Sequence, residues 1–104
     1  MSFTYDPASA RGRVRLHLAD TEEASAVFQD EELDALLALA SGDVYRASAL
    51  GALALASDGA RQARAIAAGS LSVSRERVAE HYREQARLFL SLSGARESSL
   101  AEDA

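Results

Sequence analysis

The stretch DVYRASALGALALASDG, residues 43–59, leaves this chain few ways to fold. Asp43 suits a helix cap, the residues after it are mostly good helix formers, and from Ala47 to Ala56 the sequence is apolar almost all the way round. A surface helix keeps a polar face; a helix without one belongs in the middle of a bundle. Gly51 and the many alanines would let neighbouring helices come close, so a large residue at position 51 is expected to disrupt packing.

The rest of the chain can supply those neighbours. At 104 residues it has the length of one domain, with 48% hydrophobic residues, but much of that fraction is alanine and there is no Trp. Domains of this size bury only about 60–70% of the surface of the unfolded chain, so association with copies or partners is expected. There is no Cys, which excludes disulfides, thiolate zinc sites and thiol nucleophiles. The opening MSFTYDPASARGRV lacks the apolar core of a signal peptide, and the longest apolar run, residues 47–56, is far short of the about 20 residues of a membrane span. A soluble protein that is not exported by that route, and that does not engage a membrane, is therefore expected.

Further helices are legible on both sides. Asp6 followed by Pro7 suits a helix start, and Val14, Leu16 and Leu18 continue it, although Gly12 interrupts and the alternation with Arg13, Arg15 and His17 would also suit a strand. Residues 20–29 read as a surface loop pinned by Val27 and Phe28. Asp30 can cap the next helix, with Glu31 and Glu32 in its first turn, Leu33, Leu36, Leu37 and Ala40 at helical spacing, and Gly42 closing it. First-turn acids favour the positive end of a helix dipole by about 0.3–1 kcal/mol each. ARQARAIAAG makes a shorter helix ending at Gly69, SLSVS an extended connection, and Ser74 a cap for a last helix carrying Val78, Tyr82, Gln85, Phe89 and Leu92, which Gly94 should end. The expected fold is all-α: a single domain over residues 1–93, four to five helices with a short extended connection before the last, and a flexible, polar tail at 94–104.

Chemistry is sparse. Asp20, Glu22 and Glu23 lack the alternating ligands and central Gly of a calcium loop and fit a solvated acidic loop. His17 and His81 lie on separate helices with no nucleophile motif nearby, and Ser70, Ser72 and Ser74 fit a turn and a cap. No nucleophile, base and orienting group occur together, so an enzyme is not expected, nor a cofactor or a metal. The net charge is -5, and every basic residue is Arg. That balance discourages tight DNA binding, which needs a basic excess to displace counterions from phosphates. Arg11, Arg13 and Arg15, and Arg61 with Arg64, could touch phosphate or pair with acids of a neighbouring subunit; bidentate carboxylate contacts make them candidates for a subunit interface.

In order, YDPASARGRVRLHLADT, VFQDEELDALLALASGDVYRASALGALALA and GSLSVSRERVAEHYREQARLF resemble the head-to-tail connector, or adaptor, proteins of long-tailed bacteriophages and related prophages. The resemblance covers residues 5–89. It implies a non-enzymatic helical subunit that assembles into a ring, in such families generally dodecameric, on the portal vertex. The ring extends the DNA channel, lets DNA pass without tight sequence-specific binding, and joins the capsid to stopper or tail completion proteins. The implied location is the virion neck, after assembly in the host cytoplasm. Residues 69–74, with Leu71, would then project toward a neighbour or the channel, and the C-terminal segment, with Arg96, Leu100 and Glu102, would dock on the portal. The competing expectation is a small helical DNA-binding regulator, with VYRASALGALALASDGARQARAIAAG as its helix-turn-helix and Arg61 and Arg64 in support.

Overall fold

In the computed structural model, which describes residues 2–67 and 77–103, the protein is an all-α bundle. Five α-helices are described: α1 (Ala10–His17), α2 (Asp30–Leu39), α3 (Val44–Ser57), α4 (Gly59–Ala67) and α5 (Val78–Asp103). A single 3-10 turn at Glu23–Ser25 interrupts the loop between α1 and α2.

α3 is the centre, as its missing polar face requires: it touches each of the other four helices. Asp43 caps it by accepting from the Arg46 amide at 3.1 Å. Ala47, Ala49, Gly51, Ala52, Leu55 and Ala56 are buried, and only the stripe that includes Leu53 faces outward. At Gly51 the Cβ of any other residue would sit 2.6 Å from Leu18 Cδ1 and 3.5 Å from Leu36 Cδ1, so α1 and α2 both reach the α3 backbone there. The Leu18 methyl is the end of a flexible side chain and can rotate away from one added carbon. Gly51→Ala should therefore be nearly neutral in urea melts, since gained helix propensity offsets the crowding, whereas Gly51→Leu should cost about 1–3 kcal/mol.

α1 is a helix and not a strand. Val14 and Leu18, four apart, are buried, while Leu16 between them is 55% exposed. It begins later than the Asp6–Pro7 pair suggests. The Asp6 carboxylate accepts from the Ala8 amide at 3.0 Å, and its carbonyl accepts from the amide and hydroxyl of Ser9, so residues 6–9 form a turn. Ser9 is the cap, its hydroxyl accepting from the Gly12 amide. The start of α2 is likewise shifted by one: Gln29 is the cap, Glu32 accepts from its amide at 2.9 Å, and Asp30 is the first helical residue. After α2 the chain turns through Ser41 and Gly42, both with positive φ, the conformation that favours Gly at position 42.

Only Asp58 separates α3 from α4. Its carboxylate accepts from the amides of Ala60 and Arg61, and Gln62 Nε2 donates back to the carbonyls of Leu55 and Ala56 at the end of α3. α5 packs along α3 through Val78, Tyr82, Ala86, Phe89 and Ser93, a buried seam at helical spacing, and Ser93 donates to the Asp43 carboxylate. Gln85 and Leu92 lie beside that seam, with Leu92 exposed. The helix does not stop at Gly94 but continues to Asp103. Among the described residues there is no strand; the expected extended connection and the Ser74 cap lie outside them.

Candidate functional site

Among the described residues, a dense polar arrangement is built where the acidic loop closes onto α1. Arg15 follows Val14 on the buried side of α1, and its side chain is fully buried. Nη1 donates to Asp20 Oδ2 at 2.8 Å and to the Phe28 carbonyl at 2.9 Å, Nη2 to Asp30 Oδ1 at 2.9 Å, and Nε to the Thr4 carbonyl at 3.0 Å. The ring of Phe3 covers the guanidinium 3.9 Å from its centroid. A planar five-donor group suits such a site, where every donor needs a fixed partner and the charge needs opposite charges beside it.

The two carboxylates close other parts of the chain around that centre. Asp20 accepts from the amides of Val27 and Phe28, both at 2.9 Å, which folds the loop back so that these two side chains enter the core. Asp30 accepts from the amide and hydroxyl of Thr4 at 2.9 and 2.8 Å and thereby holds the N-terminal arm, residues 2–5, against α2. Burial works to raise the Asp30 pKa, but the hydrogen bonds from Arg15 and Thr4, with the charge of Arg11, outweigh it and hold it at about 2. Its contribution to stability is complete above the ordinary value of 3.8 and is lost as pH falls toward about 2. Nearby Tyr82 is pushed up to about 12 by its own burial, with the negative charge of Asp20 adding, so its phenol stays protonated.

A second arginine secures the outer side of the same loop. Arg61 of α4 donates to the Val27 carbonyl at 2.9 Å, pairs with Glu32 and with Asp58, and lies over the Phe28 ring at 4.5 Å. Arg64 is exposed and reaches the same carbonyl at 3.3 Å. Arg11 is half-buried and makes a forked contact to Asp34, with Asp30 at 3.3 Å. Arg13 is exposed. Of the five arginines proposed for a subunit interface, Arg15 is thus wholly interior, Arg11 and Arg61 are engaged within the chain, and Arg13 and Arg64 are exposed. Leu71 lies outside the described residues; Arg96, Leu100 and Glu102 fall in the last turns of α5.

His17 occupies a different junction. Its ring is stacked between Tyr45 of α3 and Phe89 of α5, with centroids 5.2 and 5.3 Å away. Nδ1 lies 2.8 Å from the Ser48 hydroxyl, which itself donates to the Val44 carbonyl, so the imidazole is the donor and the neutral Nδ1–H form fits. Burial lowers the pKa of His17 below the ordinary 6.5. The unfolded chain then binds a proton that the folded one does not, and stability falls as pH drops below about 6.5. His17→Phe keeps the stack and removes the titration. Melting temperatures measured between about pH 8 and pH 5 should decline for the wild type and run flatter for the variant; equal slopes would assign the decline to other groups.

His81 borders an open cleft with Glu80 and Glu84 of α5 and with Arg77, the residue just before that helix. Among the described residues no group of three or more His, Asp or Glu side chains is placed to hold a metal ion, and no helix is long and apolar enough to cross a membrane. Sequence reasoning missed the Arg15 centre and the arm that covers it. The signal available was an arginine next to Val14 and in step with Leu18, with an acid five residues on. Compared with known protein families, curated proteins and solved structures, the chain matches none.

Proposed function

We propose that this protein is a head-to-tail connector subunit: a helical building block that forms a ring on a phage portal, extends the DNA channel and presents a platform to stopper or tail completion proteins. The observation that carries the reading is the ordered likeness of residues 5–89 to such adaptors, and an all-α bundle is the fold that the likeness implies. Surface chemistry supports a multi-copy role. Leu39 is 74% and Leu88 57% exposed, and Leu16, Leu53, Leu90 and Leu92 are also open to solvent, so the subunit carries apolar area on α1, α2, α3 and α5 that neighbours can cover. The net charge of -5 suits a channel through which DNA slides without adhering.

The regulator alternative would use α3 and α4 as a helix-turn-helix. α3 is the buried centre of the bundle, and Arg61 is engaged by Glu32, Asp58 and Val27, which leaves Arg64 as the exposed arginine of that pair. The test is cryo-electron microscopy of this protein mixed with the portal encoded beside it. Ring density coaxial with the portal is the expected result. No complex with a properly assembled portal, together with a steeply salt-dependent DNA affinity, would overturn the reading in favour of the regulator.

A further inference from the structure

The N-terminal arm is held the way a peptide ligand is held. Residues 2–5 form no helix and add no side chain to the buried apolar core. They are read instead by a polar dock made of Arg15 and the first turn of α2. The Ser2 carbonyl accepts from the Asp30 amide at 2.7 Å, and the Ser2 hydroxyl donates to Glu31 at 2.6 Å. The Thr4 amide and hydroxyl donate to Asp30, the Thr4 carbonyl accepts from Arg15 Nε, and Phe3 between them lies on the guanidinium. Backbone and side chains are both recognised: hydroxyl, ring, hydroxyl.

We propose that this dock is an interchangeable peptide site, and that in an assembly it takes residues 2–5 of a neighbouring copy of the chain. The proposal rests on the multi-copy reading above. An occupied dock is favoured, because without an arm Arg15 loses the Thr4 carbonyl and the Phe3 ring that covers it, and Asp30 loses the Thr4 amide and hydroxyl. Which arm occupies it is not fixed by contacts, since the same four residues from a second copy make the same hydrogen bonds. The choice is set by effective concentration, which rises steeply when subunits are held side by side. The arm is joined to the bundle only through the turn at residues 6–9, where Pro7 keeps Asp6 out of helical geometry and so favours an outgoing, extended chain. Leu16, directly after Arg15 on α1, is exposed and offers apolar surface for the approach of that copy.

The chain has no native Cys, which makes the test clean. Two full-length single-cysteine variants, Ser2→Cys as arm donor and Glu31→Cys as dock, are mixed at assembly concentration and treated with a short bismaleimide. Circular dichroism confirms that both are folded. A covalent heterodimer of the two variants should exceed either homodimer severalfold, and Thr4→Val added to the arm donor should lower its yield severalfold. Unlinked monomers alone, or a heterodimer indifferent to Thr4→Val, would overturn the exchange. A ring on the portal without heterodimer would sink the exchange and leave the connector reading standing. Heterodimer without any ring would support the exchange and count against the connector.

Discussion

Arg15→Met should lower the free energy of unfolding by about 3–5 kcal/mol, a large fraction of the about 5–15 kcal/mol that holds a domain together. The change keeps an unbranched side chain of similar length, so the loss would not come mainly from a cavity. It would come from Asp20 and Asp30, which are buried and would keep their backbone and Thr4 hydrogen bonds but lose the fully buried opposite charge between them. Phe3 would lose the cation it covers, and the Thr4 and Phe28 carbonyls would lose a donor. Arg15→Lys should destabilise less, because the charge stays, but it should not restore the wild type: one ammonium cannot reach Thr4, Asp20, Phe28 and Asp30 with the fixed fork that a guanidinium offers. Urea-induced unfolding followed by far-ultraviolet circular dichroism at about pH 7 reads the difference. A wild-type midpoint for Arg15→Met would mean that the apolar plug of Val27 and Phe28 closes the loop unaided.

The residues around this junction show what a sequence can and cannot convey. The position of α3 was legible because burial on nearly every side leaves a local signature, the absence of a polar face. The acids of residues 20–33 were legible only in part. Glu31 and Glu32 do stand in the first turn of α2, but Asp20 and Asp30 turn inward, and the reason lies in an arginine 5 and 15 residues away. Arg11, Arg13 and Arg15 look equivalent in a string. On a helix, Arg11 and Arg15, four residues apart, share the face that meets Asp30, Arg15 buried and Arg11 half-covered at its edge, while Arg13 between them faces solvent. The helix starts were misplaced for a related reason. Asp6–Pro7 and Asp30 both carry a start signal, but Ser9 and Gln29 win because Asp6 is committed to a turn and Asp30 to Arg15 and Thr4. Gly94 signals an end that the helix passes through, since a glycine only permits termination and does not enforce it.

Gly12 and Gly94 both lie within helices, and replacing each with Ala should move stability in opposite directions. Taken alone, Ala in a helix is favoured over Gly by about 1 kcal/mol, so both substitutions would stabilise. Nothing lies within 4 Å of where a Cβ on Gly94 would stand, and Gly94→Ala should therefore realise much of that gain. At Gly12 the same carbon would stand 1.6 Å from the Asp6 carbonyl oxygen, 2.3 Å from its carbon and 3.0 Å from Pro7 N. These are backbone atoms of a turn that cannot rotate aside as a side chain can, because that oxygen already accepts from both the amide and the hydroxyl of Ser9, the residue that caps α1. Relief requires the turn to lift, which strains the cap and pulls on the arm that ends one residue earlier. Gly12→Ala should thus cost about 2–3 kcal/mol net, at the upper end of what an added methyl group costs in a packed interior. The loss should be accompanied by faster proteolytic clipping within residues 2–5, as the arm loses its anchor. A stabilised Gly12→Ala with an unchanged clipping rate would show that the turn yields freely and that the arm is held by Asp30 and Arg15 alone.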